Sequence, residues 1–483
     1  MSYLLKQNKI LKPFLTYFFY SFLFFLFVIG YNNYIGNKFV YLLFSFISNF
    51  SLIYSFRSKA IFFDNFIGSF LWLGFYFKLV VINSFFSSNF VEGSGYFDYS
   101  PIFYDRTLII STVGIFAVIM SSYFRELFYN YKNKKYSYSP NNYKYIVSLY
   151  LKKKKLVILF YLLIILIVSL LNFNYHIYQK GLILKNDINF LISNIIKWLL
   201  LFGFTSFSCF IIYFELLHFK KNKILIFFIS FFELFCSYTS MLSRGMIFSS
   251  SSIIYGFYKF NKFNKLKEKS TFLCKLIIIS LTFFYFSLLL TNHFRNSYIK
   301  GNQNLVVIEN FKKINNEIIY LSINRWVGID AVMSVASLPQ KLNFNLLVNS
   351  FKEVPNIYGK SFYEETFQNM NNNNFFSKDS RIEDSKVVVI KGNTLPGFIA
   401  FFYYSGSLIF LFFSIFFLCI ILSFLEVLSF IYSKYNFLFA ALVGQILAYR
   451  LIHLGYLPSN SYALICALTI NIFIFKIIFR ENK

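Results

Sequence analysis

Apolar residues in this chain fall in near-uninterrupted blocks of span length, separated by short polar connectors. A half-buried soluble helix or strand would instead alternate polar and apolar positions, and a bilayer-crossing helix needs roughly 20 consecutive apolar residues. The pattern predicts an all-α protein, a polytopic transmembrane helical bundle of about twelve spans, near residues 14–30, 38–56, 64–83, 107–124, 156–172, 195–216, 224–240, 246–260, 275–291, 402–430, 437–455 and 462–479. The block at 246–260 is the shortest and carries Ser249 to Ser252, so it reads as either a full crossing or a re-entrant segment packed inside protein.

Between the ninth and tenth blocks lies a connection of about 106 residues, 292–397. That is far beyond an ordinary loop, which makes it a small domain or a functional lid. The chain therefore divides into an N-terminal membrane region (1–291, about nine spans), the loop domain (292–397) and a C-terminal membrane region (398–483, about three spans). Within the loop, Asn315 to Ser337 has helical spacing interrupted only by Gly328. The stretch NMNNNNFFSKDS (369–380) reads as a polar break, and Lys386 to Lys391 as a short β-like run.

Composition sharpens this picture. Of 483 residues, 57% are hydrophobic and 14% charged, with a mean hydropathy of +0.57, against roughly 25% charged in soluble domains. The net charge of +27 does not signal nucleic acid, because the 47 Lys and Arg residues sit between apolar blocks, where positive charge sets orientation. With a cytoplasmic N-terminus, the inner segments carry 27 Lys or Arg and the short outer segments six, namely Lys38, Arg106, Lys180, Lys185, Arg244 and Arg450. Both termini are therefore expected inside and the long loop outside. The five cysteines lie in or beside apolar blocks and none in the loop, so no disulfide framework is expected there. The first block follows Lys6, Lys9 and Lys12 without a small-residue cleavage signal and reads as an uncleaved span.

Several chemistries find no residues to carry them. Gly359-Lys360-Ser361 resembles the end of a phosphate loop, but the first glycine would fall at Val354. Four scattered histidines lack ligand spacing for zinc, and no Asp-x-Asp pair exists to hold a metal with a nucleotide diphosphate. No metal or cofactor is expected. What remains is arginine near the outer ends of spans: Arg244 in MLSRGM (241–246), Arg295 in TNHFRNS (291–297), Arg325 beside Asp330 in NRWVGIDAVMSV (324–335), and Arg450 with His453 in AYRLIHLGY (448–456). Arginine is suited to phosphate because it stays charged and offers a planar fork of donors, and ionisable groups near hydrocarbon are functional suspects. The competing bland readings are snorkelling at a helix end for Arg295, a solvated loop position for Arg325 or Asp330, and an interhelical polar contact for Arg450 with His453. Lys78 and Lys197 read as snorkelling lysines, and Glu233 and Glu426 as partners for a buried base.

The segments SRGM, NRWVGIDAVMSV and TLPGFIAFFYYSGSLIF resemble blocks of O-antigen polysaccharide polymerases of the Wzy type. The shared layout extends over most of the chain and the motifs over about 233–480. The resemblance implies a multispan glycosyltransferase of the bacterial inner membrane, with a large periplasmic loop and undecaprenyl-diphosphate-linked glycans as substrates. A polysaccharide chain-length regulator is the implied protein partner, and no nucleic acid. Bottom-up, arginines can stabilise the departing diphosphate without metal, and Asp330 or His453 can serve as base for the acceptor hydroxyl. The rivals are an O-antigen ligase, which would carry a histidine within the outer loop, where only His293 sits at the edge, and a lipid-linked oligosaccharide flippase, whose class usually shows repeats and short loops. An envelope scaffold without activity is the third.

Overall fold

In the computed structural model, the residues described are 2–86, 90, 95–129, 148, 150–180, 182–184, 189–218, 223–264, 270–300, 323, 326–353, 361–368, 387–389, 395–455 and 458–478. They are almost wholly helical. In chain order the helices are α1 (Ser2–Asn33), α2 (Lys38–Ser55), α3 (Phe62–Phe85), α4 (Pro101–Phe128), α5 (Lys154–Tyr175), α6 (Leu191–His218), α7 (Lys223–Ser240), α8 (Met246–Phe263) and α9 (Ser270–Lys300). Then come the short helices α10 (Ile329–Ala336), α11 (Phe344–Phe351) and α12 (Phe362–Phe367), followed by α13 (Gly397–Phe402), α14 (Leu408–Tyr432), α15 (Phe437–Ile452) and α16 (Pro458–Ile478). Seven of the described helices, α2 to α6, α9 and α14, are long and apolar enough to cross a membrane. Ile224–Ser240, Phe437–Ile452 and Ser461–Lys476 are apolar but shorter. A three-residue antiparallel ladder, β1 (Leu182–Leu184) with β2 (Val387–Val389), joins the α5–α6 connection to the segment between α12 and α13. The β-like run expected at Lys386 to Lys391 is thus present as β2.

Helix α15 is the axis of the bundle. Its residues Phe437 to Val443 are all buried, as are Leu447, Ala448, Leu451 and Ile452, and α3 and α8 pack along it on either side. The helix α8 is 18 residues long and sits inside the protein, with Met246, Ile253 and Phe257 fully buried. Outer members such as α5 and α9 show mostly exposed apolar faces: Leu159, Leu170 and Ile278 are each about 60% exposed.

Two expectations about element boundaries fail for local reasons. The block 402–430 is not one helix. The chain turns at Tyr403–Ser405, Gly406 adopts a left-handed φ of 74°, and Ser407 caps α14 by accepting from the Phe410 N–H. The helix expected over Asn315 to Ser337 is described only at Ile329–Ala336; residues 315–322 lie outside the described part. It starts at Gly328 because the backbone there presses against Gly74 of α3. A β-carbon on Gly328 would lie 2.2 Å from the Gly74 carbonyl oxygen, and one on Gly74 2.3 Å from that of Val327. The contact falls where α3 widens into a π-helical turn at Trp72–Phe77, a distortion often found where function needs an altered helix surface.

Charge pairing marks the two ends of the bundle. At the end where α2 and α4 finish and α3 begins, Asp64 accepts from Arg125 (2.6 Å) and Arg57 (3.1 Å), and Arg57 also pairs with Glu126. Buried Glu426 of α14 accepts from the Phe62 backbone N–H at 2.9 Å and from that of Phe63, so it caps α3. Glu233 accepts from the Ser237 and Thr205 hydroxyls at 3.0 and 3.5 Å. For Glu233 the expected buried base is replaced, among the described residues, by two hydroxyls, and Glu426 acts as a helix cap. Capping and hydroxyl contacts depend on which helices meet, and that is a tertiary property.

Candidate functional site: a cluster of cations at one end of the bundle

The site lies at the opposite end, where α5, α7, α9 and α15 finish and α6 and α8 begin. Its foundation is Asn172, fully buried in the last turn of α5. Its amide donates to the carbonyls of Tyr178 (3.1 Å) and Ser240 (2.9 Å) and accepts from the Tyr178 N–H (2.7 Å). Gln179 Nε2 also donates to Ser240 O, at 3.3 Å, and the Lys180 N–H donates to Met241 O at 2.9 Å. The connection after α5 is therefore pinned onto the turn between α7 and α8. That turn closes through the Ser243 N–H on Tyr238 O (2.9 Å) and places Leu242 in the left-handed region, φ 51°. Arg244, half-buried, is carried by this turn.

Lys180 is aimed at α15. Its ammonium lies 5.9 Å from the centre of the Tyr449 ring, and burial, then Arg450 and Arg295, push its pKa down to about 8. The Tyr178 hydroxyl also lies in the field of Arg450, and the Lys197 ammonium is 6.0 Å from the centre of the Tyr178 ring. Arg295 is brought in from the end of α9, where Phe294 packs on Phe173 of α5 at 4.8 Å. His453 follows α15; its Nδ1 donates to Tyr449 O at 2.7 Å and its ring lies 4.1 Å from that of Tyr449. This leaves Nε2 as the acceptor of a neutral ring.

Arg295, Arg450 and His453 thus come together with Lys180, Lys197 reaches only the Tyr178 ring, and Arg244 sits on the turn that holds Lys180. The pairing of Arg450 with His453 on one helix face is as the i, i+3 spacing requires. Arg325 lies outside the described residues. Asp330 is elsewhere: it is 3% exposed at the start of α10 and pairs with Lys78 Nζ at 3.0 Å, while the same ammonium donates to Trp326 O at 2.8 Å. The Asp330 carboxylate is committed to that pair. Lys78, expected to snorkel, is fully buried instead, with Asp330 of α10 as its counter-charge. Between this pair and the cations stand Phe70, Phe248, Trp326 and Tyr449, with ring centres 5.1 to 6.2 Å apart.

Sequence reasoning missed Lys180 and the tyrosines around it. Lys180 entered only as one of six outer-side charges; Asn172, a buried amide near a helix end, is the signal that its loop is fixed. None of the five ion pairs among the described residues involves Lys180 or Arg450. Like charges held in each other's field destabilise one another unless an anion joins them. The arrangement is competent to bind an anion with several negative oxygens, and the half-buried rings beside it keep the local dielectric low.

No family model matches the chain, and no curated protein or solved structure does either. Fold and site together define an all-helical protein with helices of membrane-crossing length and a cation cluster at one end.

Proposed function

We propose that the protein polymerises oligosaccharide repeat units carried on undecaprenyl diphosphate, at the periplasmic face of a bacterial inner membrane, as in O-antigen biosynthesis. The observation that carries the proposal is the convergence of Lys180, Arg295 and Arg450 with no ion pair to Lys180 or Arg450 among the described residues. A lipid diphosphate supplies negative charge to Lys180 and Arg450, and preorganised cations stabilise it further as it departs. The motif resemblance adds the polymerase reading to that anion site. It also carries the twelve-span layout, the periplasmic loop and the cytoplasmic termini, which the asymmetry of basic residues supports.

In this reading an acceptor sugar hydroxyl attacks the anomeric carbon of the donor chain. The bond from that carbon to the diphosphate oxygen breaks, and undecaprenyl diphosphate leaves with the electron pair. His453 Nε2 takes the hydroxyl proton, since His453 adjoins the cations while Asp330 is held by Lys78. No step calls for a metal.

The test is polymerisation of a synthetic lipid-diphosphate repeat unit by the purified protein, with chelator present. Arg450→Ala should slow it by about 10- to 100-fold, the loss of one charge-assisted contact of roughly 1.5–3 kcal/mol. Arg450→Lys should recover part of the rate, and exposed Lys352→Ala should match the parent. Deletion in the cell should leave lipopolysaccharide capped with a single repeat unit. Polymer stranded on its carrier would point to a ligase, and absence of surface units to a flippase. Single cysteines replacing Asn141 or Ser270 should resist an impermeant thiol reagent, and one replacing Asn372 should react.

A further inference from the structure

Two of the segments that carry the cations are tied together by one stretch of chain. Lys180 stands two residues before β1, and β1 pairs with β2, Leu182 opposite Val389 and Leu184 opposite Val387. Seven residues beyond Val389, the chain meets the C-terminal end of α15. A β-carbon on Gly397 would lie 3.1 Å from the Ile452 carbonyl oxygen, and one on Gly455 2.7 Å from Pro396 Cγ. Both glycines adopt left-handed backbones, φ 72° and 102°, a conformation that residues with a β-carbon resist. Ile452 and Gly455 stand on either side of His453, two and five residues beyond Arg450. The stretch 387–397 is therefore a strap, attached at one end beside Lys180 and at the other beside Arg450.

The two attachments differ in strength. Gly397 opens α13, whose six residues are all buried. The ladder consists of three residue pairs, and a two-stranded ribbon is marginally stable at best without further support. The ladder is the end that lets go. What strains it is the charge the strap holds together. Burial first, then Arg450 and Arg295, keep the Lys180 pKa down to about 8, so the joined segments repel one another. A polyanion seated between them replaces that repulsion with attraction to both.

We propose that the strap closes on the bound anion: the β1–β2 ladder tightens when a diphosphate group occupies the cation cluster and loosens when it leaves. The proposal rests on the anion-site reading above and adds the regulation of that site. Linkage makes the effect reciprocal. Whatever locks the ladder must tighten anion binding by the same factor with which the anion tightens the ladder.

The test uses inorganic diphosphate on the full chain in detergent, with exposed Cys274 and Cys466 replaced by serine. Opposed residues of an antiparallel pair have Cα atoms about 4.5–5.5 Å apart, within disulfide reach. Leu182→Cys/Val389→Cys is therefore locked by oxidation and released by reductant. The locked form should bind diphosphate at least about fivefold more tightly than the reduced form of the same protein. Of two neighbouring residues in β2, one aims its N–H at β1, so Val387→Pro/Val388→Pro removes a ladder bond whichever it is. That variant should bind at least about fivefold more weakly than the parent. Saturating diphosphate should slow amide exchange over 182–184 and 387–389 in the parent and not in Arg450→Ala. If locking and the prolines both leave affinity within about twofold, or if ladder exchange is unmoved by diphosphate in a parent that binds it, the strap is overturned and the anion site stands. If the parent does not bind diphosphate, or binds it no better than Arg450→Ala, the anion-site reading itself has failed.

Discussion

Substituting Asp330 by Ala removes the counter-charge 3.0 Å from Lys78 Nζ, in a place where neither side chain meets solvent. At an effective dielectric of about 20, two unit charges at that separation attract by roughly 5–6 kcal/mol. Part of this offsets the cost of burying both, so the net worth of the pair against an apolar replacement is near zero. Removing one partner is another matter: a charge stays buried without its opposite, and such changes cost about 3–5 kcal/mol. Asp330→Ala and Lys78→Ala should each lower the thermal unfolding midpoint in detergent by several degrees. The double variant Lys78→Met/Asp330→Leu should lie within about 1 kcal/mol of the parent. Scanning fluorimetry on all four proteins, checked by monodispersity in gel filtration, gives the cycle. If Asp330→Ala is as stable as the parent, or if the double variant falls by the sum of the two single losses, the pair is not the buried, mutually neutralising contact argued here.

The Lys180 ammonium, held down to about 8 by burial and by Arg450 and Arg295, is charged below that pH and loses its proton as pH rises through it. Inorganic diphosphate binding should therefore weaken from pH 7 to 9 by up to about tenfold relative to Lys180→Met, whose profile reports only the ligand's own titration; parallel profiles would refute the role. Asn172→Leu strips hydrogen bonds from the Tyr178 backbone and one of two from the Ser240 carbonyl, and a buried group left unmet costs about 1–3 kcal/mol. Amide exchange over 176–180 should rise and diphosphate affinity fall with it, and unchanged exchange would show that Asn172 does not pin this loop. Gly328→Ala drives a methyl group to within 2.2 Å of the Gly74 carbonyl oxygen, so the loop segment must shift, at about 1–3 kcal/mol. Protease cleavage near 323–328 should accelerate, and a parent-like rate would mean that the contact is slack.

The amino-acid sequence by itself determined where the helices lie. Eleven of the twelve apolar blocks correspond to a single helix or to most of one, and the block 402–430 is broken by a turn before α14, because a run of apolar residues between polar breaks needs no knowledge of its neighbours to be recognised. It also singled out Arg450 and His453, whose i, i+3 spacing is a local matter. The exceptions began where a contact from far along the chain decided the outcome. Helix α10 begins only after Gly328, and Gly74, some 250 residues away, lies against that glycine. Lys78 is buried because Asp330 comes down to meet it, and Glu426 serves as a cap because α14 happens to pass the start of α3. The cation cluster belongs to the same class: Lys180, Arg295 and Arg450 come from three separate segments, and only the packing of α5, α9 and α15 sums their fields at one place. Hydrophobic periodicity is a property of neighbouring residues and can be read along the chain. Charge convergence is a sum over distances in space, and those distances exist only after the helices have packed.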